Sequence, residues 1–177
     1  IKHNLSTSHL TMKHNLSIIC LFFVAAYTGF AQESLDGLLK KHHTSKIPYI
    51  SVEELAMPNT QALILDAREF QEYQVSHIKN AVFVGYNTFN LEQTALLINN
   101  KQQPIVVYCS LGIRSETISN RLLKAGYTNV YNLYGGIFEW VNNGFDVYDS
   151  KGNKTNNIHA FSPEWSKWLK KGNKVFN

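Results

Sequence analysis

Cysteine is nearly missing from this 177-residue chain: there are two, Cys20 and Cys109. The first lies inside residues 12–31, "MKHNLSIICLFFVAAYTGFA", where Lys13 precedes an apolar core from Leu16 to Ala26 and small residues stand at Gly29 and Ala31. That order reads as a secretory signal peptide cleaved after Ala31. A run of about 20 apolar residues, the length a membrane span needs, is also missing, which disfavours a retained anchor. Ile19, not a small residue, precedes Cys20, which disfavours lipid attachment there. The expected mature chain is exported, periplasmic or secreted, without stable membrane insertion. With a single cysteine, Cys109, it has no internal disulfide. Disulfides are what exported cysteines usually form, so an odd thiol reads as a reactive group or an intermolecular partner.

Other absences narrow the field. Charged residues are sparse at 17%, and the net charge of +4 loses two positive charges if Lys2 and Lys13 leave with the leader. No cluster of basic residues with interleaved aromatics stands out, so no nucleic-acid partner is expected. His42, His43 and His159 match no metal-ligand spacing, and no metal is expected. No internal repeat occurs, and nothing in the composition is fibrous or disordered. Length suggests one ordinary domain. The organisation that follows is 1–31 upstream residues plus leader, with Met12 as the start, 32–46 a polar lead-in, 47–149 the domain, and 150–177 a polar loop and C-terminal amphipathic helix.

What is present alternates between strand and helix patterns. "IPYIS" is a short strand, and Ser51 with Glu54 forms a capping box that opens a brief helix. "ALILDA" is a buried strand, "REFQEYQ" a short helix and "NAVFVG" a strand; "NLEQTALLINN" is amphipathic. "PIVVYC" is continuously apolar and β-branched, as strands covered on both faces tend to be. "RSETISNRLLKAG" is a helix stopped at Gly126, "NVYNL" a fifth strand, and "GGIFEWVNNG" a turn into a short helix with Trp140 in the core. The alternation argues an α/β domain with a mostly parallel sheet. In the tail, Trp165, Trp168 and Leu169 have helical spacing and read as a helix docked on the domain.

Ligands bind beyond the carboxyl ends of such strands, and Cys109 stands at one. The loop "CSLGIRS" can curl its N–H groups inward, and the helix behind it adds partial positive charge. A thiolate there has a depressed pKa. Gly112 permits positive φ, Arg114 can clamp an anion or hold the loop, and Ser110 and Ser115 add hydroxyls; Leu111 and Ile113 complete the loop. The set suits a cysteine that attacks an anionic substrate and stays covalently modified. Persulfide sulfur transfer and phosphocysteine hydrolysis both fit. The C-x-x-x-x-R spacing is one residue short of the phosphatase loop, and no general acid is evident, so phosphate chemistry is disfavoured.

The loop resembles the active-site loop of the rhodanese-like sulfurtransferases. "LILDAREFQEYQVSHIKNAVFV" is similar to that family's D-x-R-x-x-x-E signature, with Asp66, Arg68, His77, Ile78 and Ala81 in matching places, and "LYGGIFEWVNNGFDV" resembles its closing segment. Ser76 stands where the family commonly has glycine, and Ser110 where thiosulfate specialists often carry a basic residue. The resemblance implies a rhodanese fold, a central parallel sheet of about five strands flanked by helices. It also implies sulfane-sulfur transfer through a Cys109 persulfide, from a small sulfur-containing anion such as thiosulfate, or a persulfide donor, to a thiol or cyanide acceptor. No cofactor is needed, Asp66 and Arg68 support the loop as an ion pair, and a monomer is expected. The alternative is a non-catalytic sulfur-carrier or binding module of the same fold.

The leader is directly checkable. N-terminal sequencing of natively expressed protein should begin at Gln32; recovery of residues 12–31 intact in a membrane fraction would favour the anchor.

Overall fold

The strongest strand signal in the sequence sits at the centre of the molecule. A computed structural model describes residues 34–43 and 46–176; the expected leader lies outside the described residues. Strand β5 (Ile105–Tyr108) is the middle of a five-stranded sheet of order β1-β6-β5-β2-β4, formed with β1 (Tyr49–Ile50), β2 (Leu63–Asp66), β4 (Val82–Phe83) and β6 (Val130–Leu133). Every pairing in this sheet is parallel. Side chains alternate across a strand. Val106 and Tyr108 therefore enter one core, with Leu55, Leu133, Ile137 and Phe138. Ile105 and Val107 enter the other, with Leu65, Ile118, Leu122 and Val130. Both faces are covered, which is why "IVVY" is apolar without alternation.

Six helices flank this sheet among the described residues: α1 (Leu35–His42), α2 (Val52–Leu55), α3 (Phe70–Val75), α4 (Leu91–Ala95), α5 (Ile113–Lys124) and α6 (Gly136–Asn142). The expected capping box closes reciprocally at the start of α2, Glu54 N–H to Ser51 Oγ and Ser51 N–H to the Glu54 carboxylate. A small antiparallel sheet joins β3 (His77–Ile78), β7 (Val147–Tyr148) and β8 (Lys154–Thr155). No helix among the described residues is long and apolar enough to cross a membrane.

The C-terminal segment differs from expectation. Instead of an amphipathic α-helix, residues 157–175 form strand β9 (Asn157–His159), a single 3₁₀ turn (Ser166–Trp168) and strand β10 (Asn173–Val175), with β9 and β10 paired in parallel. Pro163 precedes the turn and Gly172 follows it, so the three-and-four spacing of the tryptophans and Leu169 spans too little chain to propagate a helix. Leu169 and Ile158 still enter the main core. Asn142 of α6 fastens the segment, donating to Trp168 C=O at 2.9 Å and accepting from Lys170 N–H at 2.7 Å. At the other end Leu38 of α1 joins the same core cluster, so the polar lead-in is a packed helix.

The sheet order creates the crevice that matters. The chain leaves β2 toward β4 on one side and β5 toward β6 on the other, so the connections diverge beyond the carboxyl ends of β2 and β5. There Asp66 and Arg68 form a fully buried ion pair at 2.7 Å. Tyr108 Oη donates to Asp66 at 2.6 Å, and Arg68 donates to Ser76 C=O at 2.6 Å. Ser76 has φ −168, extended backbone that needs no glycine. Removing Arg68 leaves the wholly buried Asp66 without its charge partner. Arg68→Ala should cost about 3–5 kcal/mol, read as a lower urea midpoint at unchanged m-value; an exposed change such as Lys151→Ala should stay within about 0.5 kcal/mol.

Candidate active site around Cys109

The loop after β5 is held by its own carbonyls. Cys109 C=O accepts from Ile137 N–H at 2.9 Å, and Ser110 C=O accepts from Phe138 N–H at 3.1 Å. These are amides of the first turn of α6, which have no partner within their own helix. The approach requires glycine: a Cβ on Gly136, at φ +56, would stand 2.3 Å from Cys109 O and 2.7 Å from the Ser110 carbonyl carbon. With the carbonyls turned outward, loop donors turn toward the sulfur. Gly112 N–H donates to Cys109 Sγ at 3.1 Å, and Ser115 Oγ lies 3.5 Å from it. Gly112 adopts φ +107 as the N-cap of α5, the left-handed conformation anticipated for it.

Asn132 of β6, wholly buried, secures this arrangement. Its amide donates to Gly112 C=O at 2.7 Å, and its Oδ1 accepts from Ser115 Oγ at 2.7 Å. Nothing in the sequence singles it out, because it acts from a neighbouring strand. Burial pushes the Cys109 thiol up. The Arg114 charge, the Ser115 hydroxyl and N–H, and the Gly112 N–H outweigh burial and bring its pKa below the ordinary value. Since Arg114 is itself paired with a carboxylate, the fixed loop donors are the more secure part of that effect.

Arg114 is the residue whose surroundings were least visible from sequence. Its Nη1 and Nη2 each donate to a Glu72 carboxylate oxygen at 2.7 Å, and Nη2 also donates to Ser110 Oγ at 3.0 Å. Ser110 Oγ donates in turn to Glu72 at 3.0 Å. Burial would raise the Glu72 pKa, but the Arg114 fork, the Arg68 charge and the Glu69 N–H hold it at about 2. The fork is filled from within the protein, and its geometry is that of a loop brace rather than a waiting anion clamp. Glu72 is the carboxylate of the D-x-R-x-x-x-E pattern, so its position was in view while its role was not.

Cys109 contributes to the lining of a cavity of about 300 Å³. Loop residues Cys109, Ser110, Leu111, Ile113 and Arg114 form one side, and Phe161 and Trp165 of the C-terminal segment form the other. Sequence reasoning gave the tail only a docking role, yet it brings two aromatic rings to the thiol. Of the supporting residues, Asp66 and Arg68 stay in the core behind the loop. His77 stacks on Tyr73 with ring centroids 4.1 Å apart, and its Nδ1 lies 3.2 Å from Tyr73 C=O, a packing role. The thiol itself is testable: the rate of Cys109 alkylation against pH should show a midpoint below about 8.5, because the loop donors favour the thiolate. Ser115→Ala should move that midpoint upward.

Comparison with known proteins supplies the wider context. Residues 51–143 match the family described as the Rhodanese-like domain. A tRNA uridine(34) hydroxylase of Hamiltonella defensa is 38% identical over 112 residues, 60% of this chain and 31% of that protein. The protein of that name from Photorhabdus laumondii is 39% identical over 98 residues, 52% of this chain and 28% of its own. The chain thus spans about a third of the length of these curated relatives. Among solved structures, a thiosulfate sulfurtransferase from Pseudomonas aeruginosa superposes with TM-score 0.54 at 27% identity, covering 74% of this chain and 24% of that one. A rhodanese-like domain from an Anabaena protein gives TM-score 0.51 at 24% identity, covering 58% and 79%. These relatives overturn the expected reaction. The curated proteins matched at 38 and 39% identity bear the name tRNA uridine(34) hydroxylase, not thiosulfate sulfurtransferase. The fold stands as expected, with its parallel five-stranded sheet and flanking helices, and the chain belongs to the rhodanese-like domain family.

Proposed function

We propose that this chain is an enzyme of the rhodanese-like family in which Cys109 acts as a nucleophile on a uridine-type base, in support of its hydroxylation. The observation that carries the reading is the position of Cys109. Cys109 lines a cavity of about 300 Å³ that also has Phe161 and Trp165 in its lining, and its thiol pKa is lowered by Arg114 and the loop donors against the effect of burial. The named relatives supply the substrate class.

The chemistry follows from the electron demand of a uracil ring. Its C4 carbonyl makes C6 electrophilic. Addition of the thiolate to C6 breaks the C5–C6 π bond and leaves an enolate with electron density at C5. Dioxygen adds at C5 to give a hydroperoxide, and two thiols reduce the O–O bond, releasing water and a disulfide. Loss of the C5 proton with departure of the sulfur restores the ring and the thiolate. One C5–H, one dioxygen and two thiols become one C5–OH, one water and one disulfide. Cys109 is the nucleophile; the Gly112 N–H and Ser115 hydroxyl stabilise it as an anion; Glu72 and Arg114 keep the loop in shape.

This reading changes the expected partner, since nucleic acid was excluded on composition. The segment that lines the cavity interleaves Phe161, Trp165 and Trp168 with exposed Lys167, Lys170 and Lys171, a pattern suited to a polyanion with stacking bases. A free nucleotide carries the same base without the polyanion, so both substrates belong in the test. The protein is incubated with an unmodified tRNA anticodon stem-loop carrying U34, or with uridine monophosphate, under dioxygen with excess thiol. The product is digested and read by mass spectrometry. The expected result is one added oxygen on uridine, reduced at least 100-fold in Cys109→Ser. No oxygenated product and no Cys109–base adduct from either substrate would overturn the proposal.

A further inference from the structure

Phe161 is an aromatic residue in a conformation that suits glycine. Its φ is +66, left-handed backbone that a bulky side chain rarely adopts. Ser162 N–H donates to Ala160 C=O at 2.8 Å, closing a three-residue turn around Phe161. Phe161 N–H donates to His159 Nδ1 at 3.1 Å, and Ala160 N–H donates to Val175 C=O at 2.9 Å. The β9–β10 pair and the His159 ring thus hold the turn. The guanidinium carbon of Arg114 lies 4.6 Å from the ring centroid, so the brace of the thiol loop also braces the phenyl ring. Even so, Phe161 keeps 44% exposure and lines the cavity of Cys109. It lies outside residues 51–143, the part that matches the family.

Backbone strain held by surrounding structure is a pointer to function at the residue that bears it. Here the strain holds an exposed ring beside a nucleophile. A turn at positive φ would form more readily with glycine, so nothing in the turn itself calls for a ring. We propose that Phe161 is a specificity-determining residue: it is the stacking wall that covers one face of a planar aromatic electrophile and leaves the other face to the Cys109 sulfur. The inference deepens the nucleophile reading and rests on it, with a planar heteroaromatic ring as the substrate class. Arg114 packs against Phe161 and polarises the ring; the cavity is the space left for the substrate.

The test compares three reagents with the same reactive group. Cys109 is alkylated with iodoacetamide, N-phenyliodoacetamide and N-cyclohexyliodoacetamide, and the rates are read by intact mass. Wild type should favour the phenyl over the cyclohexyl reagent by about tenfold, the factor that corresponds to 1.4 kcal/mol. In Phe161→Gly that preference should fall to near one, while the melting temperature stays level or rises as the strain is relieved. Phe161→Tyr should keep the preference. Phe161→Leu, which retains apolar bulk without a π face, should lose it, and this variant decides the matter if the glycine variant is poorly folded. An unchanged phenyl preference in Phe161→Leu, or no preference in wild type, would overturn the proposal. The readout needs no uridine: a preference that depends on Phe161 alongside no oxygenated product and no Cys109–base adduct would retain the stacking wall and sink only the uridine reading.

Discussion

The ion pair between Glu72 and Arg114 is the constraint on which the thiol loop depends. It joins α3, which follows β2, to the start of α5, which follows β5, across the crevice where the chain diverges. Both oxygens and both terminal nitrogens of the fork are engaged, and Ser110 closes the triangle. A pair so little exposed has value only if each partner is fully bonded, because one charge left alone would carry its desolvation cost unrelieved. Bidentate geometry supplies that bonding. The consequence is chemical as well as structural: both terminal nitrogens of Arg114 are engaged by Glu72 and Ser110, which commits the guanidinium to shaping the loop.

The loop's polarity comes from a second constraint, the contact between the Cys109 and Ser110 carbonyls and the amides of α6. Every backbone group in a buried loop must find a partner. Spending the carbonyls on α6 leaves the loop N–H groups to face the sulfur, and Gly136 permits the approach because it has no Cβ. Asn132 then fixes Gly112 and Ser115 from β6. The Cys109 sulfur is therefore met by donors of the loop and α5, which the α6 amides and Asn132 of β6 hold in place.

The C-terminal segment lies outside residues 51–143, the part that matches the family. A short parallel strand pair and one 3₁₀ turn place Phe161 and Trp165 opposite the loop. Arg114 couples the two sides, with its edge on Glu72 and its carbon 4.6 Å from the Phe161 ring centroid. The same guanidinium thus shapes the anion-stabilising loop and supports the aromatic wall, which makes the cavity a joint product of the rhodanese-like core and its extension.

Much of this was legible one residue at a time. Continuous β-branched apolar residues in "PIVVYC" announce a strand buried on both faces, because alternation is lost only when neither face meets water. Ser51 with Glu54 announces a helix start, because both partners lie within one turn. Cys109 with Gly112 and a following helix announces a stabilised thiolate, because the donors are local backbone. The rest was decided by tertiary structure. Glu72, Asn132 and Phe161 reach the loop across 42, 20 and 47 positions of sequence, and residue pattern carries no information about which distant side chains converge. The tail's helical spacing misled for the related reason that periodicity over one turn is outweighed by strand pairing. Sequence alone determined the fold class and marked Cys109 as the candidate nucleophile, since both readings depend on local pattern and backbone; the partner of Arg114 and the aromatic lining of the cavity were decided only by long-range packing.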